Sequence, residues 1–167
     1  MKTVLTMMAL LLGSAGFAQV STAGLEKMVK EYIGQATSAA SSKKEIVFNN
    51  RGSIFVPEVF SNKITGTKDS ERGELTAPGS FIGYDIGFMA GTRVSAFNAK
   101  ECSAYYNASV NGYNVWIGIK DGSLLVTLTN PDKVNVPYFP ANFWSAVKNE
   151  TEAKEVLAIA LSYKPKQ

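Results

Sequence analysis

The chain contains no histidine, and that absence bounds its chemistry before any element is placed. A Ser-His-Asp or Cys-His centre is excluded, as is any histidine-ligated metal site. The single cysteine, Cys102, therefore lacks the usual base and has no partner for an intramolecular disulfide. A buried, inert thiol is expected there, with a bridge to another chain or a reactive thiol as the alternative. Carboxylates gather at Asp69, Glu71 and Glu74 in the polar stretch SNKITGTKDSERGELTAPGS, residues 61–80. Lys68 and Arg72 interrupt them, and a calcium site needs more oxygen ligands held together. A solvated surface loop is expected, with one short strand inside it at Lys63 to Thr67. No G-x-S-x-G elbow, phosphate-binding loop or dinucleotide fingerprint occurs, so no residue is given a catalytic, metal or cofactor role. Paired acids can still meet from distant segments, which keeps a small secreted carboxylate hydrolase open as a second class of function.

The aromatic residues carry the more specific signal. Tyr113, Trp116, Tyr138, Phe139 and Trp144 fall at strand ends or in proline-marked segments. Tyr and Trp pair an apolar body with a polar handle, which suits a membrane interface, a sugar face or a protein hot spot. Net charge is only +3 over 167 residues, without the basic stripe of a nucleic-acid binder. Asn107-Ala108-Ser109 and Asn149-Glu150-Thr151 match the glycosylation acceptor pattern, at the level expected by chance.

Several elements must position these residues. Met1 to Ala18, MKTVLTMMALLLGSAGFA, has the charge, apolar run and small residues of an export signal. Its removal leaves about 150 residues, one β-rich domain over 19–167 on length alone. No later stretch is apolar for long enough to span a bilayer, so a secreted or periplasmic protein is expected. Leu25, Met28, Val29, Tyr32 and Ile33 recur at helical spacing and predict an amphipathic helix over about 23–40. That stripe either packs on the body or lies in a membrane interface.

From Lys44 the apolar period changes to two, with strands predicted at 45–49 and 53–56. Phe81 to Met89 alternates Ile82, Tyr84, Ile86 and Phe88 against Gly83, Asp85 and Gly87. Two glycines on one strand face mark a bulge or the close approach of another group. Thr92 to Asn98 is its expected hairpin partner, and a further strand is expected at 103–108 before a turn at Asn111-Gly112. The strongest signal is YNVWIGIKDGSLLVTLTN, residues 113–130, a hairpin turned at Asp121-Gly122. An Asp-Gly type I′ loop fixes the register, Lys120 opposite Ser123 and Val115 opposite Leu128. One face then carries Val115, Ile117, Ile119, Leu124, Val126 and Leu128, and Trp116 lies on the other, opposite Thr127. A short C-terminal helix is predicted from Asn142 to Lys148. Residues 154–163 fit a strand or a helix, the strand preferred. With no long helix between strands, the fold expected is mainly β, an antiparallel sandwich or barrel with helical additions.

An N-terminal amphipathic helix ahead of a small, cysteine-poor β-sandwich resembles actinoporin-like pore-forming proteins and the related fungal fruit-body lectins. Gly79-Ser80-Phe81-Ile82-Gly83-Tyr84 and Tyr113-Asn114-Val115-Trp116-Ile117-Gly118-Ile119 look like two strands of that family, and Glu152-Ala153-Lys154 is similar to its closing strand. The chain is short for the family and lacks its Arg-Gly-Asp motif. The resemblance implies lipid insertion by Leu25, Met28, Val29, Tyr32 and Ile33, and headgroup binding at Tyr113 and Trp116. The function expected is non-catalytic binding to a membrane, glycan or protein surface. A hydrolase, or an envelope or inhibitor-like protein docking to one partner, is the alternative.

Overall fold

The structure, a computed structural model, describes residues 20–35, 43–49, 51–66, 70–88, 99–129 and 138–165. For Gln35, Ser70, Phe88, Ala99 and 138–140 it describes the backbone path only. The export segment, the proposed partner strand at 92–98, Asp69 and the end of the first helix lie outside the described residues.

The fold is mainly β, with two antiparallel sheets and a helix from each end of the chain packed on them. Helix α1 spans Thr22–Gln35. Ser21 starts it, its hydroxyl accepting from the Gly24 amide at 3.0 Å, which satisfies one of the unpaired amides of the first turn. Its stripe faces inward: Leu25, Met28 and Val29 are buried. At about 1.5–3 kcal/mol for each fully buried side chain, this docking outweighs anything the exposed face contributes. An ion pair also ties α1 down, Glu31 meeting Lys154 at 2.5 Å. The Thr22 hydroxyl accepts from the Tyr105 amide at 3.1 Å.

The smaller sheet pairs β1 (Lys43–Phe48) and β2 (Gly52–Pro57), with a two-residue β10 (Lys164–Pro165) on the far side of β2. The larger has the order β3-β4-β5-β9-β8-β7-β6. Its strands are β3 (Ser61–Ile64), β4 (Ser70–Ala77), β5 (Ser80–Phe88), β6 (Ala104–Val110), β7 (Tyr113–Lys120), β8 (Ser123–Thr129) and β9 (Tyr138–Ala146). The hairpin register is as predicted, from Lys120 opposite Ser123 to Val115 opposite Leu128. Asp121 and Gly122 have φ of 49° and 73°, the two positive values that a type I′ loop requires. All six residues of the predicted apolar face are buried. They join Phe48, Ile54 and Val56 of the smaller sheet in one core, where Phe48 and Tyr84 sit with ring centroids 5.0 Å apart.

Three expectations are corrected. The polar stretch 61–80 is not mainly a loop in its described residues: β3 pairs with β4, and β4 with β5. Its alternation is hard to see because the core-facing positions of β4 are Glu71, Gly73 and Leu75, only one of them a large apolar residue. Residues 142–148 are not a helix. Residues 142–146 belong to β9, between β5 and β8, with Ala141, Phe143 and Ser145 buried on one face; there ladder pairing overrides a capping signal. Residues 154–163 are not a strand. Helix α2 runs Glu150–Leu161, and Ala153, Val156, Leu157 and Ala160 are its buried face. Asn149 caps it, accepting from the Glu152 amide at 3.0 Å.

Candidate functional site

The face of the larger sheet turned away from the core brings together residues from six strands. Ladder pairing sets Asn107 opposite Trp116, Trp116 opposite Thr127, and Thr127 opposite Asn142. Asn142 is in turn opposite Asp85, and Asp85 opposite Arg72. One step along the strands, the next row runs Tyr105, Gly118, Leu125, Trp144, Gly83 and Glu74. The two tryptophans are thus two strands and one row apart, with Cα atoms about 12 Å from each other by strand spacing and rise.

The first row is polar and closely bonded. Thr127 Oγ1 donates to Asn142 Oδ1 at 2.8 Å, and Arg72 Nε donates to Asp85 Oδ2 at 2.9 Å. Asp85 is fully buried while Arg72 is half exposed, so the pair hides the anion and shows part of the cation. Asn107 Nδ2 donates to the Val115 carbonyl at 3.1 Å. Trp116 lies within this row, and Tyr105 and Trp144 lie in the next. Tyr105, Trp116 and Trp144 are all half-buried, and the rings of Tyr105 and Trp116 have centroids 6.1 Å apart. Trp144 lies on Gly83: a Cβ there would fall 2.2 Å from the indole Cε2. The close approach expected at the glycines of β5 is therefore made by an aromatic ring at Gly83. At Gly87 it is made by the Arg51 guanidinium, beside a register shift in the ladder.

Tyr113 is elsewhere. It faces the core, with its ring centroid 6.1 Å from that of Tyr163, and burial raises its phenol above the ordinary value. Of Tyr138 and Phe139, only the backbone on β9 is described. Within the helical set Leu25, Met28 and Val29 are in the core, Tyr32 is half-buried and Ile33 is 48% exposed. Sequence reading missed Arg72, Tyr105, Thr127 and Asn142 as members of one surface. The predicted pairing of Trp116 with Thr127 was the available signal; the other neighbours depend on strands 61–80 and 142–146.

The two buried carboxylates among the described residues, Glu71 and Asp85, point to opposite faces of the sheet and do not share a cleft. No group of three Cys, Asp or Glu side chains among the described residues could hold a metal ion. Burial raises the Cys102 thiol above its ordinary value, with Lys120 pulling the other way, so little thiolate forms at neutral pH. No described helix is long and apolar enough to cross a membrane. Comparisons with protein-family models, with curated proteins and with solved structures found no match to this chain.

Proposed function

We propose that the chain is an exported, non-catalytic binding protein whose contact surface is the outer face of the larger sheet, and that its ligand is a glycan. The supporting observation is that Trp116 and Trp144, 28 positions apart in the chain, lie half-buried on one sheet face, within and beside a row that carries amide and hydroxyl side chains. Aromatic faces stack on the apolar side of a sugar ring, while neutral amides and hydroxyls match its hydroxyl groups. The charges described on this face are of both signs, Arg72 paired with Asp85 and Glu74 in the neighbouring row. That arrangement offers no cationic cluster to an anionic membrane surface.

A glycan array, followed by titration of tryptophan emission, tests the reading. Saturable binding to a carbohydrate is expected, lost in W116A/W144A while the melting temperature of the unliganded protein stays within a few degrees. Blank arrays together with sedimentation on liposomes would replace the glycan with a lipid. Leakage of dye from those vesicles would favour the actinoporin-like version, in which α1 must first withdraw Leu25, Met28 and Val29 from the core. Blank results on both panels would overturn the binding surface.

A further inference from the structure

The two sheets meet at a buried polar contact that the proposed binding face does not use. Glu71 of β4 points to the core side and is 2% exposed. Its Oε2 accepts from Asn49 Nδ2, in the turn between β1 and β2, at 3.1 Å. Its Oε1 is buried without a hydrogen-bond partner. Arg51 of the same turn lies over Gly87 of β5, and its charge favours the carboxylate form of Glu71. From β5, Tyr84 turns its hydroxyl to Asn62 Oδ1 at 2.8 Å. Beyond α2, Tyr163 donates to the Arg51 carbonyl at 2.8 Å. Burial pushes the Tyr84 phenol up to about 12 and raises that of Tyr163 as well, so neither tyrosine ionises near neutral pH.

A carboxylate held out of water with an idle oxygen is disfavoured against its neutral acid. Burial accordingly raises the Glu71 carboxyl above its ordinary value, against the opposing pull of Asn49 and Arg51. We propose that Glu71 is a proton-operated latch between the two sheets, holding the β1–β2 turn against β4 when protonated and loosening it when ionised. Above the folded-state value both folded and unfolded chains carry the anion, and the folded one bears the cost of burying it. As pH falls the folded chain takes up the proton first, and the cost is fully relieved below the ordinary 4.5. The latch therefore tightens on acidification. Because the chain has no histidine, no imidazole titration overlaps a carboxyl transition displaced upward from the ordinary range.

The test follows the Glu71 side-chain carboxyl carbon by NMR in the full chain from pH 3 to 8, together with the Asn49 side-chain amide. A Glu71 midpoint above 4.5 is expected, with the Asn49 amide shifting at the same midpoint. A midpoint at or below the ordinary value, or an indifferent Asn49 amide, overturns the latch. As a second readout, E71Q is expected to melt above wild type at pH 7, the difference vanishing toward pH 4. A variant that melts below wild type at pH 7, or differs from it equally at both pH values, overturns the proposal too.

Discussion

Replacing Gly83 by alanine tests the packing on which the outer-face surface depends. An added Cβ would lie 2.2, 2.4 and 2.5 Å from Trp144 Cε2, Nε1 and Cζ2, where unstrained carbon contacts need about 3.5–4.0 Å. Gly83 has no positive φ, so alanine suits its backbone and the whole cost falls on the ring. Strands β5 and β9 are held by their ladder, so the indole must swing off its seat. A fully buried aromatic side chain covers about 150–250 Å². Trp144 is half-buried, so roughly 100 Å² is at stake, or about 2.5 kcal/mol at ~25 cal/mol/Å². Since overpacking costs about 1–3 kcal/mol in general and the ring can tilt, a loss of about 1–2.5 kcal/mol is expected. Urea unfolding followed by far-UV circular dichroism measures it without relying on the indole. In a Trp116→Phe background, where one tryptophan of the two remains, emission should shift to the red and quench more readily with acrylamide. Gly122→Ala is the control. Its φ is +73° with open space around the site, so it should cost about 1 kcal/mol of backbone strain and leave emission unchanged. A G83A protein with wild-type stability and wild-type emission would refute the seating of Trp144 on Gly83.

Leu25→Ala should destabilise the chain by about 2–5 kcal/mol, since the side chain is fully buried and its removal leaves a cavity; the urea midpoint reads this. The buried phenols predict an alkaline transition. Tyr84 is held up to about 12, so the unfolded chain releases its phenolic protons first and stability falls as pH rises from about 10 toward 12. A titration at 295 nm should then show a fraction of the seven tyrosines still protonated above pH 11. Tyr84→Phe should flatten part of the stability loss, and an unchanged pH slope in that variant would count against the assignment.

What the sequence revealed depended on whether local chemistry and burial pattern agreed. The Asp121-Gly122 hairpin was legible to the register of single residues because the turn demands two positive φ values and every alternate side chain is apolar. Strand β5 was legible for the same reason, its glycines included. Strand β4 was not, because its inward positions carry a carboxylate and a glycine. Gly73 is needed there since a Cβ would fall 2.2 Å from the Tyr84 hydroxyl, and that fact belongs to another strand. The end of the chain misled in both directions. Residues 142–146 join a ladder at the middle of the sheet, where pairing outweighs the capping signal at Asn142. Residues 153–160 bury one helical face, but Leu157, Ile159, Leu161 and Tyr163 alternate well enough to pass for a strand. The candidate surface was legible only in part for a related reason: Trp116 and Trp144 each stood out as residue types, but their sharing a face follows from the β8–β9 register, which no local motif announces.

That register is itself held by polar side chains. Arg72 with Asp85 ties β4 to β5, and Thr127 with Asn142 ties β8 to β9, each between residues directly opposite in the ladder. A slip of one residue between β4 and β5 would send Arg72 and Asp85 to opposite faces and take the fully buried Asp85 away from that cation. Breaking a buried ion pair costs several kcal/mol, far more than a surface ion pair contributes when correctly made. These pairs therefore act mainly by excluding wrong registers. For the tryptophans the deciding pair is Thr127 with Asn142, because the β8–β9 alignment it favours is the one that sets Trp116 and Trp144 on the same face.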